Sequence, residues 1–285
     1  MNLSVVIPIL NAEDHLAAQL RALASQDYTS AWELVLVDNG STDGTRQIIE
    51  LHRSEFESLT LVDGSDAAGQ AHALNRGVRE AANDSILLLD SDDEVAPGYL
   101  REMAHALSDH EFVASRLDCR SLNAPWVQAS RPSSQEDGIG VFLGFLPAVA
   151  GCSIGFQRAA FDRIKGFDET LGAGNDIDFC WRHQLAGGQI EFVAAAVLRY
   201  RYRSDLRGIF QQARGYGASG PRLYKRFRRA GMSRRSPRSA ASFWLGPARR
   251  VFGARSRSDV ASLFFMAGFR VGTLDGCFQE RVVYL

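Results

Sequence analysis

Cysteine is scarce in this chain, with four among 285 residues, at positions 119, 152, 180 and 277. None falls in a CxxC pair, which argues against a cysteine-based zinc site and gives no disulfide framework. Scattered thiols suit a reducing compartment, so a cytoplasmic protein is expected. No apolar run reaches the roughly 20 residues that span a bilayer. The start, Met1-Asn2-Leu3-Ser4, has no basic segment, and the apolar run after it breaks at Pro8 and Asn11. A secretory signal is therefore not expected. There is no internal repeat, and no GxGxxG follows the first apolar strand. Without that glycine loop the chain does not grip phosphates as a dinucleotide dehydrogenase does.

Negative charge is almost missing from one stretch. Between Arg199 and Arg257 there are 17 Lys/Arg and one acid, Asp205, whereas residues 1–198 hold 13 Lys/Arg against 29 Asp/Glu. The formal net charge of −1 conceals this split. A basic half of this kind fits an anionic partner, such as donor phosphates or an anionic membrane surface. Nucleic acid is not expected, because the acidic half would oppose it.

What is present is an alternation of strands and helices. Residues 3–9, 33–37, 59–62 and 86–89 read as buried strands, with helical spacing over 12–25, about 42–52, 69–82 and 99–107. Ser41 or Thr42 is placed to cap the second helix. Such an order predicts an α/β fold with a parallel sheet and right-handed crossovers. Beyond Phe112 the pattern loosens. Val113–Arg116 and Trp126–Val127 read as strands of a mixed-sheet extension, and Gly151–Phe156 as a small-residue strand. Residues 177–185 read as a helix, 190–202 as containing a strand, and the basic region from Ser204 as mainly helical. The expected division is a domain over 1–203, donor-binding in 1–112 and acceptor-facing in 113–203, with a C-terminal extension over 204–285.

Carboxylates cluster where two strands end. Asp38 follows Leu34-Val35-Leu36-Val37, and Asp90-Ser91-Asp92-Asp93 follows Ile86-Leu87-Leu88-Leu89. Open α/β sheets bind ligands at the carboxyl ends of their strands. Three Asp in four residues repel one another unless a cation or a hydrogen-bond network holds them. Together they suggest a site for a nucleotide, its phosphates and a divalent metal.

The chain resembles the inverting glycosyltransferases of family 2, bacterial type, through six segments in the family's order. They are Val5-Val6-Ile7-Pro8 with Asn11, Leu36-Val37-Asp38-Asn39-Gly40-Ser41-Thr42-Asp43-Gly44-Thr45, Gly69-x-x-x-Ala73-x-Asn75-x-Gly77, Leu88-Leu89-Asp90-Ser91-Asp92-Asp93, Gly166-Phe167-Asp168-Glu169, and Gly174-Asn175-Asp176-Ile177-Asp178-Phe179-Cys180-Trp181-Arg182. The resemblance implies a GT-A fold, Rossmann-like with a mostly parallel mixed sheet. It also implies transfer of a sugar from a UDP- or dTDP-linked donor to a hydroxyl acceptor, with inversion.

Residue roles follow from that resemblance. Asp92, with Asp90, is expected to hold Mg2+ or Mn2+ against the donor diphosphate, Asp90 alternatively touching the ribose. Asp38 is expected to read the base, with Ile7 and Pro8 beside it. Asn11, Ser41, Asp66, Gly69, Asn75 and Ser91 are further nucleotide-sugar contacts. Asp176 is the expected catalytic base, with Asp168 as an alternative that also reads as a turn cap. Gly151, Cys152, Asn175 and Trp181 are expected on the acceptor side. Asp178 and Arg182, four apart on a helix, read as a structural ion pair.

Three departures from the family pattern matter. Asn175 stands where relatives carry Glu before the catalytic Asp. Leu74 stands where many carry Arg, so His72 or Arg76 is a substitute for a diphosphate contact. No His follows the last core strand in Leu198-Arg199-Tyr200-Arg201-Tyr202-Arg203, where an Arg or Tyr could meet the diphosphate instead. His15, His52, His105, His110 and His183 share no ligand spacing and read as surface residues. Arg222, Arg226 and Arg229 with Leu223 and Phe227 read as an amphipathic basic helix suited to peripheral membrane contact. Two rival readings remain open: a sugar-nucleotide-binding scaffold without turnover, and a sugar-phosphate nucleotidyltransferase.

Overall fold

The computed structural model describes residues 1–131, 135–251 and 254–284. In chain order the first half runs β1 (Leu3–Ile9), α1 (Leu16–Ala24), β2 (Trp32–Asp38), α2 (Thr45–His52), β3 (Leu59–Asp63), α3 (Gln70–Glu80), β4 (Ser85–Leu88), β5 (Glu94–Val95) and α4 (Tyr99–Asp109). The second half runs β6 (Phe112–Asp118), α5 (Pro125–Gln128), β7 (Val141–Phe142), β8 (Leu146–Pro147), β9 (Ile154–Gln157), α6 (Arg158–Arg163), α7 (Asn175–Leu185) and β10 (Glu191–Arg199). Three helices close the chain: α8 (Leu206–Phe227), α9 (Pro237–Val251) and α10 (Arg257–Glu280).

The main sheet has the order β3-β2-β1-β4-β9-β6-β10-β5. Strands β3, β2, β1 and β4 are parallel, as their alternation with helices predicts. β9 runs antiparallel between β4 and β6, so the sheet is mixed. Period-two alternation explains the two cores. Leu3, Val5, Ile7 and Ile9 of β1, with Leu34 and Leu36 of β2, face Leu16, Leu20 and Leu23 of α1 and the apolar side of α4. Val6, Val35 and Val37 face the other way, onto α3, Phe179 and Trp181. Burial on both faces is why these strands read as continuous apolar runs.

Several local expectations are corrected. The second helix begins at Thr45 behind Gly44, not at Ser41 or Thr42, because Asp43 Oδ1 accepts from Thr45 N at 3.1 Å and shapes the turn. Trp126 and Val127 lie in the short helix α5, which Pro125 starts, and not in a strand. β9 begins only at Ile154, after a 3-10 turn over Gly151–Ser153. His183 is fully buried, its ring 4.7 Å from that of Phe112 and its Nε2 3.1 Å from Gln189 O. Burial pushes its pKa down.

The extension is partly continuous with the sheet's core. Leu223, Tyr224 and Phe227 of α8 are buried in the same cluster as Phe179 and Trp181. The apolar face expected to meet a membrane through Leu223 and Phe227 is therefore internal. The arginines beside it are ion-paired: Arg226 Nε lies 2.8 Å from Asp178 Oδ1, and Arg222 Nε 3.3 Å from Glu280 Oε1. α8 and α10 pack with almost no separation. A Cβ on Gly217 would stand 1.9 Å from Phe269 O, and one on Gly272 1.9 Å from Arg214 O. Gly268 and Gly276 face α8 in the same manner. Contrary to the reading of the sequence, α10 is long and apolar enough, by length and composition, to cross a membrane. Val260, Phe264, Val271, Leu274 and Phe278 lie exposed along its other face, Phe278 at 87%.

Candidate active site

Strand β1 has β2 on one side and β4 on the other, and the chain reverses direction of travel across the sheet there. At the carboxyl ends of these strands lies a cleft of about 430 Å³, bordered by Pro8, Ile9, Asn11, Asn39, Gly69, Asp90, Ser91 and Asp92. This is the crevice at which open α/β sheets bind ligands. Asn11 adopts φ 50, a left-handed conformation that Asn tolerates better than most residues. Its Oδ1 accepts from Thr42 N at 2.8 Å and its N donates to Ser41 Oγ at 3.0 Å, fastening the β1 and β2 loops together. Asn39 Oδ1 accepts from Gly69 N at 2.9 Å, which positions the start of α3 beside the cleft. Gly69 has φ 130, accessible in practice only to glycine. The positive end of the α3 dipole thus opens on the cleft.

Asp38 is fully buried and does not border the cleft. Its Oδ1 accepts from Ser41 N at 2.8 Å and its Oδ2 from Arg46 Nε at 2.5 Å. Burial alone would raise its carboxyl, but the Ser41 and Arg46 hydrogen bonds override that and hold it below the usual range.

The acidic group after β4 has a layered arrangement. Asp90 Oδ1 accepts from Gln70 Nε2 at 3.0 Å. Burial, and then the charges of Asp92 and Asp176, push the Asp90 carboxyl up to about 7. Asp92 Oδ2 lies 3.3 Å from Arg203 Nη1. Deeper still, Asp93 Oδ1 accepts from Arg201 N at 2.8 Å, while its Oδ2 is buried without a hydrogen-bond partner. Ligand atoms of Asp90, Asp93 and Cys152 lie within 4.8 Å of one another. Burial drives the Cys152 thiol well up, so it is a poor ligand, and a hard cation prefers the carboxylates. The orphaned oxygen is that of Asp93, and among the described residues the acids whose ligand atoms converge are Asp90 and Asp93, whereas Asp92 is paired with Arg203.

Asp176 occupies the first turn of α7, behind Gly174 in the left-handed conformation. It accepts from Ile177 N at 2.8 Å and from Gly151 N at 3.3 Å. Burial raises its carboxyl from the usual value, against those hydrogen bonds. Gly151 and Asp176 are thus brought together as expected, and Cys152 lies beside Asp93. Asp176 does not itself border the cavity, although Ala173 of the same loop does.

Other expected contacts point elsewhere. The Asn75 side chain is consumed by the 167–169 turn: it donates to Phe167 O at 2.9 Å and Glu169 Oε1 at 2.7 Å, and accepts from Phe167 N at 2.8 Å. It is a structural fastener and not a donor contact. Trp181 is fully buried, donates to Leu146 O at 3.0 Å and packs against Phe145 and Phe227, so it is core and not acceptor-facing. Asn175 is buried. Asp66 is exposed and bonded to His72, which also reaches Glu169 at 2.9 Å. These acids occupy both nitrogens of His72, and Arg76 Nε lies 3.5 Å from Glu80 Oε1. Asp168 is a turn cap, accepting from Thr170 N at 3.0 Å. The Asp178–Arg182 pair forms at 2.6 Å.

A second cavity, of about 390 Å³, adjoins the first across Asp90, Asp92 and Arg203. Its opposite wall is Gln211, Gln212, Gly215 and Tyr216 of α8. Sequence reasoning missed this wall. The signal available was only polar residues on a long helix, with nothing to say which face met the acids.

A mixed sheet that presents an acidic, metal-compatible cleft at its strand ends defines a nucleotide-binding α/β protein of the GT-A type. The comparisons make the family specific. The model for glycosyl transferase family 2 matches residues 4–165, and that for glycosyl transferase family group 2 matches residues 85–269. The chain belongs to glycosyl transferase family 2. It is 28% identical over 131 residues to the poly(ribitol-phosphate) beta-N-acetylglucosaminyltransferase TarS of Staphylococcus aureus, covering 46% of this chain and 23% of that protein. It is 24% identical over 248 residues to the pre-mycofactocin glycosyltransferase of Mycobacterium tuberculosis, covering 78% of this chain and 47% of the relative. The chain thus matches less than half the length of either.

Solved structures agree on the fold. S. aureus TarS 1–349 in complex with UDP-GlcNAc matches with TM-score 0.58 and 17% identity, over 100% of this chain and 93% of that one. The mannosyltransferase PcManGT from Pyrobaculum calidifontis, in complex with GDP-Man and Mn2+, matches with TM-score 0.66 and 19% identity, over 95% and 86%.

Proposed function

We propose that this protein is an inverting glycosyltransferase that moves a sugar from a UDP- or dTDP-linked donor to a hydroxyl acceptor. The observation that carries the reading is the cleft at the strand ends, where Asp90 and Asp92 border one cavity with Pro8, Asn11 and Gly69, and where burial and the charges of Asp92 and Asp176 raise Asp90 to about 7. Such a site calls for a cation and for a proton acceptor. The nucleoside lies toward β1, β2 and β3, where Asp38 is the base-reading group and Arg46 must yield one carboxylate oxygen. The diphosphate lies between the start of α3 and Arg203. A bound Mg2+ or Mn2+, held by Asp92 and Asp90, supplies positive charge against the departing diphosphate.

Asp176 takes the proton of the acceptor hydroxyl as that oxygen attacks the anomeric carbon, opposite the diphosphate. The bond from the anomeric carbon to the diphosphate oxygen breaks, and its electron pair leaves with the nucleotide. A raised carboxyl pKa favours this role, since it makes the carboxylate a stronger base. The reading places the enzyme in the cytoplasm, against the inner face of the membrane. Support for that placement is the exposed apolar face of α10 within a basic C-terminal region.

Calorimetry with UDP, dTDP and GDP, with and without Mn2+, tests the reading, followed by a nucleotide-sugar hydrolysis screen. Binding of UDP or dTDP with slow donor hydrolysis is the expected result. No binding of any nucleotide overturns it, and binding without hydrolysis of any donor points to a scaffold.

A further inference from the structure

The second cavity shares its acidic side with the donor cleft, but its far wall belongs to α8. That wall is chemically uniform. Gln211 and Gln212 offer amides and Tyr216 offers a phenol, and both groups donate and accept hydrogen bonds without carrying charge. Tyr216 also presents a ring that is 39% exposed. Arginines at the cavity are already matched by acids. Arg203 faces Asp92 at 3.3 Å, and Arg201 lies 3.0 Å from Glu94 Oε1 while also donating to Asp92 O. With Arg203 taken up by the donor diphosphate and Arg201 by Glu94, a second anionic ligand would meet Asp90 and Asp92 with little free positive charge to hold it. A neutral, hydroxyl-rich ligand meets partners on every side, and the volume lies in the range of small-ligand pockets.

The wall is also held in place. Asp205 caps α8, accepting from Gly208 N at 2.7 Å. Arg131 Nη1 donates to Gln212 Oε1 at 2.9 Å, which fixes the amide's orientation. The glycine-lined contact with α10 leaves no room for the helix to shift toward it.

We infer that α8 supplies the acceptor subsite, with Gln211 and Tyr216 binding a neutral glycoside or polyol in the cavity whose other side is formed by Asp90, Asp92 and Ala173. The inference rests on the proposed glycosyltransferase reading and adds to it the class of acceptor.

The test uses the full-length protein loaded with UDP and Mn2+, with methyl glucoside and methyl glucuronide as neutral and anionic probes. Saturation-transfer NMR reads probe binding, and calorimetry reads UDP affinity. For the wild type, saturation transfer to methyl glucoside but not to the glucuronide is expected. In Tyr216→Ala and Gln211→Ala that signal should fall at least about fivefold, with UDP affinity kept within about twofold. Tyr216→Phe, which keeps the ring, should retain part of the signal. The inference is overturned if no glucoside signal is seen in the wild type, if the glucuronide binds as well, or if the alanine variants bind the glucoside like wild type. Loss of UDP binding in the wild type would instead remove the glycosyltransferase reading itself, so the two failures are distinct.

Discussion

Arg203 Nη1 stands 3.3 Å from Asp92 Oδ2, at the border between the two cavities. A guanidinium therefore faces the carboxylate expected to hold the metal, on the segment where relatives often place a His. On the proposed reading, a divalent cation on Asp92 would free Arg203 to face the diphosphate. Arg203→Gln should weaken UDP affinity by about tenfold with Mn2+ present, since a charge-assisted contact to the diphosphate is lost. Without metal, where Asp92 holds Arg203, the loss should be smaller. Calorimetry in the two conditions checks this, and an equal loss in both would separate Arg203 from the metal.

Asp176→Asn should lower transfer by a factor of about 10² to 10⁴, the usual contribution of a general base. UDP affinity should stay within a few-fold, because among the described residues the Asp176 oxygens bond to Ile177 N and Gly151 N and to no group of the nucleotide cleft. Initial rates with saturating donor, beside calorimetry, decide it. A fully active variant would remove Asp176 as base.

Asp168 couples α8 to the turn before α7 through an ion pair with Arg226. Burial opposes ionisation, yet hydrogen bonds from Thr170 and Arg226 bring the carboxyl down to about 2, from 3.8. The folded state therefore favours the ionised form. Its stabilisation is present above the unfolded value of 3.8 and is lost as pH falls toward 2. In urea titrations, wild type should lose more stability than Asp168→Asn over that interval. Parallel pH profiles would show that the pair contributes nothing.

Gly272→Ala puts a methyl group against Arg214 O, where 1.9 Å is available. Overpacking of this kind costs about 1–3 kcal/mol, so the melting temperature should fall. Acceptor binding should suffer with it, because α8 must move, while UDP affinity should change little. Thermal melts with calorimetry test both halves of the statement.

Leu274→Asp and Phe278→Asp place charge on the exposed apolar face of α10. Co-sedimentation with vesicles containing anionic lipid should fall for the double variant and leave UDP binding unchanged. Equal sedimentation would locate the membrane contact elsewhere or remove it.

The early strands were legible in the sequence because burial on both faces makes β1, β2 and β4 unbroken apolar runs. The acids at their ends were legible for the same reason, since strand exits fix where Asp38 and Asp90 emerge. Asn75 and Trp181 were placed near the ligand by motif position, but their side chains turn inward to Phe167 O and Leu146 O. Only the packing of the 146–169 region shows that. Trp126 and Val127 have strand-like composition, yet Pro125 starts a helical turn there. Least legible was α8. Gly215, Gly217, Gly220 and Pro221 are poor helix formers, yet α8 persists to Phe227, with Gly217 lying directly against Phe269 O of α10. Cys152 and Asp93 meet across distant sequence, with no local pattern to announce it.

β9 is the one strand that runs against both its neighbours in the sheet. Its polarity decides a distance. Because it is reversed, its entry turn at Gly151 arrives at the edge where β4 exits into Asp90. Had it run parallel, four residues of strand would carry that turn about 13 Å away, to the far rim. Gly151 would no longer meet Asp176, and that carboxylate would lose the hydrogen bond from Gly151 N. A single reversal of chain direction thus seats Asp176 near the acids that follow β4, and an early and a late stretch of sequence come to share one end of the sheet.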